Sequence, residues 1–191
     1  MSERGHSLVE IVVVVAILMI GAAVAAPTLR AYSVESQLLG VGRTFKLTFL
    51  RARSIATKRS TYTAIRFERR PEGIFYSVYV DGNSNGVLAT EIQTGVDARI
   101  EGPFLLTSGA PDVRVAIAPG TPAIPPDSGV LDTGDPIRFG SSDTLSFSPL
   151  GTATPGTFYL SGVGAQGAVR VTPATGRVRL MVCRGGRWRE R

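Results

Sequence analysis

Residues Leu8 to Ala26 read LVEIVVVVAILMIGAAVAA, nineteen positions whose only charge is Glu10. Coiled as a helix at 1.5 Å per residue, this run is ~28 Å long, enough to cross a hydrocarbon core about 30 Å thick with little tilt. Any fold of the chain must provide an apolar environment for it, and within 191 residues only one further domain of ordinary size can follow. Arg4 precedes the run and Arg30 follows it, so the flanking charges do not set its orientation.

Three origins fit such a segment. A cleaved secretory signal would explain the short polar start and the small residues Val24, Ala25 and Ala26, but signal cores run about 7 to 15 residues and do not begin with a carboxylate. A plain signal anchor explains the length and leaves Glu10 without a purpose, at a cost of up to about 2.5–3.5 kcal/mol at a span centre and less near its end. The third origin uses the flanking residues. Gly5, His6, Ser7, Leu8, Val9 and Glu10 resemble the type IV prepilin signal of pilins and pseudopilins, with His6 standing where that family usually has Phe. The resemblance implies that a membrane aspartic peptidase cuts after Gly5 and methylates the new amine of His6. It also implies that Glu10 is an assembly residue, paired in the filament with the N-terminal amine of a neighbouring subunit, because a carboxylate in lipid needs a partner.

Beyond the span, Pro27 lacks an N–H and crowds the preceding turn, so a kink or a local opening of the helix is expected there. Helical periodicity then resumes: Leu38, Val41, Phe45, Phe49, Ala52 and Ala56 recur at spacings of three and four and define a face to be buried, with Arg43, Lys46, Arg53 and Arg59 directed elsewhere. Gly40 and Gly42 each weaken that helix by about 1 kcal/mol relative to Ala and mark a bend. The helix is expected to end between Ala56 and Arg59.

From Ser60 the hydrophobic period becomes two. Residues 61–67, 74–80, 114–117, 145–147, 157–160, 168–171 and 177–182 alternate and are rich in β-branched and aromatic side chains, which predicts strands. Residues 118–136 hold five prolines and three glycines and predict an irregular excursion. The expected fold class is α+β, pilin-like: a long N-terminal transmembrane and stem helix packed on an antiparallel β-rich head. Its expected parts are a leader (1–5), the transmembrane part of the helix (6–27), an amphipathic stem (28–59) and a head with a basic C-terminal tail (60–191).

Order and motif extend the resemblance over nearly the whole chain. The helix end FLRARSIATKRS, the DGNSNG turn, the stretch LSFSPLGTATPGTFYL and the strand ATGRVRL resemble the H-type pseudopilin and FimT-like minor pilin group, the GspH/FimT family. That likeness implies a non-enzymatic subunit without a cofactor, single-pass in a bacterial inner membrane with its head in the periplasm. Its partners would be the prepilin peptidase and other pilin or pseudopilin subunits. It would be assembled at or near the tip of a type II secretion pseudopilus or a type IV pilus.

Charge is segregated along the chain. Residues 1–80 carry +6, residues 81–167 carry −6 and residues 168–191 carry +6. A local block of that kind points to phosphate, lipid headgroups or acidic protein. In the last block Arg177, Arg179, Arg184, Arg187, Arg189 and Arg191 are opposed only by Glu190 and accompanied by Trp188. Guanidinium forks and a stacking indole suit DNA, and Gly186 to Arg189 match the G-R-x-R pattern of FimT-like pilins that take up DNA. The candidate DNA-contacting residues are therefore Arg184, Arg187, Trp188, Arg189 and Arg191. A solvated terminal tail is the plainer alternative.

Two further motifs favour turns over sites. Asp81, Asn83, Asn85 and Gly86 match half of a calcium loop, but the twelfth position is Ile92 and Glu91 stands one place short, so a hairpin turn is expected. Gly162, Gly164 and Gly167 form G-x-G-x-x-G, yet strand sequence follows and Arg187 occupies the place of the ribose-binding acid. One cysteine, Cys183, and one histidine exclude an internal disulfide, a Cys/His zinc cluster and most histidine-dependent catalysis. Cys183 reads as a small buried hydrophobe. No nucleophile with a base and no carboxylate pair stands out among the scattered acids.

Overall fold

The computed structural model describes residues 8–191. The first helix, α1, runs Leu8–Arg59 as a single element of 52 residues, ~78 Å long at the standard rise. It is helical without a break through Pro27, Gly40 and Gly42, and it stops where the loss of apolar periodicity places its end. Its halves meet different surroundings. From Leu8 to Ser33 no described side chain is buried, whereas Val34, Leu38, Val41, Phe45, Phe49, Ala52 and Ala56 are buried in turn, the expected stripe extended by one residue toward the N-terminus.

Two antiparallel sheets clasp that second half. The first has the order β3-β2-β1-β5, from β1 (Thr63–Arg70), β2 (Gly73–Val80), β3 (Ala98–Leu105) and β5 (Thr144–Phe147). The second has the order β4-β6-β7-β8-β9, from β4 (Ile137–Phe139), β6 (Gly156–Gly162), β7 (Ala165–Thr172), β8 (Arg177–Arg184) and β9 (Arg187–Glu190). Phe45 joins helix and sheets: its ring meets Tyr76 of β2 at 4.7 Å, Phe158 of β6 at 4.8 Å and Phe67 of β1 at 6.0 Å. The first two contacts are edge-to-face and the third is stacked, and such aromatic pairs add to the burial of large apolar surface.

The helix lies so close to the second sheet that side chains are excluded at three contact points, one of them Gly162 of β6 against Val34. A methyl group on Gly42 would collide with the Leu180 side chain, and one on Gly167 with Leu38. The glycines that read as a bend and as a turn are thus, at these positions, close-approach points between α1 and strands β8 and β7. The opposite face of the second sheet is covered by the proline-rich excursion, whose Ile124 and Leu131, with Ile117 just before it, form a second apolar cluster with Tyr159, Ala168 and Met181.

Several features differ from the sequence reading, among them the unexpected strands β4 and β9. Residues 114–117 are not a strand: Arg114 makes one isolated bridge to Ser161, further along the same edge of β6 that β4 occupies. Strand β3 was hidden in sequence because ARIEGPFL does not alternate; Gly102 and Pro103 interrupt it and its pairing with β2 is irregular. The DGNSNG segment is no tight hairpin, since a short helix, α2 (Ala89–Thr94), intervenes before β3.

Candidate functional site

Glu10 stands in the first described turn of α1, exposed, among the exposed apolar side chains Leu8, Val9, Ile11, Val12 and Val13. The helix is long and apolar enough here to cross a membrane, and none of its most apolar window is buried in the protein. Among the described residues no cation pairs with this carboxylate, which stands on an uncovered apolar rod where a charge needs a partner. The expected cleavage and methylation positions, Gly5 and His6, lie outside the described residues.

The arginine-rich C-terminus is an edge strand. β9 pairs antiparallel with β8, Arg187 opposite Arg184, Trp188 opposite Cys183, Arg189 opposite Val182 and Glu190 opposite Met181. Strand alternation divides its side chains between two faces. Arg184, Arg187 and Arg189 share the face of Val182 and Leu180, the side on which α1 lies; Trp188 and Glu190 take the other.

On that second face everything is engaged. The Trp188 Nε1–H donates to the Pro122 carbonyl at 2.9 Å, and the indole packs 6.4 Å from the Tyr159 ring. It anchors β9 to the excursion, apart from the arginines it accompanies in sequence. Arg179 donates to the Glu190 carboxylate at 2.9 Å and Arg177 at 3.2 Å. The Arg179 hydrogen bond, reinforced by the charges of Arg179 and Arg177, holds the Glu190 carboxyl below its ordinary range. Burial pushes the Cys183 thiol upward and the Tyr159 phenol likewise, the latter against the opposing pull of Arg138.

On the α1 face Arg184 forms an ion pair with Glu35 of the stem, and Arg191 approaches the same carboxylate at 3.7 Å. Glu35 is only 7% exposed. This acid drew no attention in the sequence, although a charged residue adjoining the buried stripe at Val34 and Leu38 was the available signal. It ties the C-terminal strand to the stem, because a buried charge is tolerated only when paired. Arg187 and Arg189 are exposed, and no carboxylate lies within ion-pair distance of them among the described residues. Arg53, expected to point away, instead donates to the Gly151 carbonyl at 3.0 Å and holds the loop before β6.

The remaining motifs serve the fold. The Asp81 carboxylate accepts the backbone N–H groups of Asn83, Ser84 and Gly86 at 2.8–2.9 Å. The amides of Asn83 and Asn85 donate to Glu91 at 3.0 and 2.8 Å. No cluster of three or more His, Cys, Asp or Glu placed to hold a metal occurs among the described residues. In G-x-G-x-x-G, Gly162 and Gly167 belong to strands β6 and β7, and only Gly164 lies in the turn between them.

Residues 1–26 match the family model described as the prokaryotic N-terminal methylation motif. Among curated proteins and among solved structures, nothing matches the chain. The motif is a pilin-type N-terminus, indicating a structural subunit that is processed by a prepilin peptidase and assembles with other pilin subunits. It agrees with membrane anchoring through the apolar half of α1, which begins within the matched residues.

Proposed function

We propose that this chain is a minor pilin or pseudopilin of the H-type and FimT-like group, a non-enzymatic subunit of a filament. It is cut after Gly5, methylated at His6 and held in the bacterial inner membrane with its head in the periplasm. It then enters a type II secretion pseudopilus or type IV pilus at or near the tip. One observation carries the reading: a single helix has one half built into the core of the head and the other half, apolar and bearing Glu10, left uncovered by the described residues. Such a half is satisfied only by lipid or by other helices, and a filament core of like helices supplies both the apolar cover and the amine that neutralises Glu10. Replacement of Glu10 by Ala is expected to leave the chain in the membrane fraction and remove it from the sheared filament fraction; full incorporation of the variant would overturn the role given to Glu10.

A second reading is favoured by the exposed guanidinium groups of Arg187 and Arg189 on one face of an edge strand. In it the subunit captures DNA for uptake by contacts to phosphate, which carry no sequence preference and weaken steeply with salt. An Arg187→Ala/Arg189→Ala variant is then expected to lose most of its mobility shift with duplexes of any sequence, and binding equal to the parent chain would dismiss this reading.

A further inference from the structure

The end of the head nearest the apolar segment is basic, and it sits where a bilayer surface would be. Helix α1 supplies the ruler. With the apolar run ending at Ala26, Arg30 stands ~6 Å and Val34 ~12 Å further along the axis, while the headgroup layer of one leaflet extends roughly 5–8 Å beyond the hydrocarbon.

Strands β6 and β8 both run toward that end. Phe158 of β6 packs on Phe45, and by Gly162 the strand has reached Val34. Leu180 of β8 packs on Gly42, and Arg184 has reached Glu35. Their two turns therefore project toward the apolar half of the helix. The β6–β7 turn presents Val163, 68% exposed, and Arg187, also exposed, opens β9 directly after the β8–β9 turn. Arg114 lies beside Ser161 at the end of β6, and an open cleft of about 400 Å³ between this strand end and the helix is lined by Arg30, Arg114 and Val163.

Of the two local acids, Glu35 is paired with Arg184 and Arg191, while Asp112, which lines the same cleft, accepts from the neutral Gln37 amide at 3.0 Å and leaves one negative charge against three arginines. Among the described residues Arg30, Arg114 and Arg187 have no carboxylate within ion-pair distance. Tyr32, 72% exposed on the helix at the same level, is a residue type suited to the interface between headgroups and water.

We infer that this underside, Arg30, Arg114 and Arg187 around the apolar tip Val163, docks on the anionic phospholipid headgroups of the bilayer that holds α1. The inference rests on the reading of residues 8–26 as a membrane span. Anionic headgroups draw basic groups within a Debye length of the surface, and three guanidinium groups on one rigid end set the tilt of the head as well as its distance from the lipid. The pool of unassembled subunits would then lie head-down, and extraction into a filament would have to break that contact.

The test uses the full chain in nanodiscs, with Cys183→Ala and a fluorophore at Val163→Cys, and a quencher attached to lipid headgroups. Quenching is expected to be on the order of threefold stronger when about a third of the lipid is phosphatidylglycerol than when all of it is phosphatidylcholine, and to lose that difference in high salt. The triple variant Arg30→Gln/Arg114→Gln/Arg187→Gln alters only exposed side chains and should respond equally to both lipids. Quenching indifferent to lipid charge, or unchanged in the triple variant, would overturn the inference alone. So would a fluorophore that responds to added duplex DNA but not to lipid charge. Failure of the chain to enter neutral nanodiscs would overturn the membrane-span reading and the inference with it.

Discussion

Gly40 and Gly42 are two residues apart on the same helix and have opposite physical roles. A methyl group on Gly40 meets nothing within 4 Å, so this glycine costs the helix backbone entropy without return. A methyl group on Gly42 runs into Leu180, which is itself 1% exposed and has little room to move. Gly40→Ala is therefore expected to stabilise the chain by up to about 1 kcal/mol, and Gly42→Ala to destabilise it by about 1–3 kcal/mol. Denaturant titration of the detergent-solubilised protein distinguishes the signs, and equal effects at the two positions would contradict the packing described for α1 on β8. In sequence the two glycines are equivalent helix breakers; only the approach of another strand separates them.

At the level of elements, β9 is the instructive case. Arginine-rich ends read as solvated tails because charge disfavours burial, yet this segment forms a strand that closes the second sheet with a charged edge, a usual protection against edge-to-edge pairing. Its face away from α1 is held by Trp188 on Pro122 and by Glu190 between Arg177 and Arg179. Because the folded state holds the Glu190 carboxyl below its ordinary range, the clasp is complete at and above that range and is lost as pH falls through the lower folded value. Trp188 is the only tryptophan, so its emission reports on the clasp directly. The emission is expected to shift to the red on acidification in the parent chain, with Glu190→Gln already shifted at neutral pH and insensitive to acid. A parent chain and a variant with the same pH profile would remove Glu190 from the account. The same strand carried a legible sequence motif, Gly186 to Arg189, but its alternation puts the indole and Arg187 and Arg189 on opposite faces, which a list of residue types cannot convey.

The whole molecule is a head built around half of its own anchor. Among the described residues the first buried helix side chain is Val34, so removing residues 1–29 deletes no described part of the core. That truncation is expected to yield a soluble, cooperatively folded head. Removing residues 1–45 also takes away Val34, Leu38, Val41 and Phe45, each worth about 1.5–3 kcal/mol of burial, a total comparable to the full stability of a domain of this size. The longer truncation is expected to be unfolded by near-ultraviolet circular dichroism. A folded product from it would mean that the sheets make a core without the stem.

Much of this was legible from periodicity. The nineteen-residue apolar run, the stripe from Leu38 to Ala56, the helix end and most of the strands follow from spacings of one residue type along a single segment, and such spacings reflect local geometry that the chain carries with it. What the tertiary structure alone decided are relations between segments distant in sequence. It decided that Gly42 and Gly167 are contact points, that Glu35 receives Arg184 and Arg191, that Trp188 packs against Pro122 on the face away from α1, and that the turn after β6 comes to the end of the head beside Arg30. Each depends on which strand lies next to which and on which face it presents, and a shift of one residue in register would reverse every one of those faces.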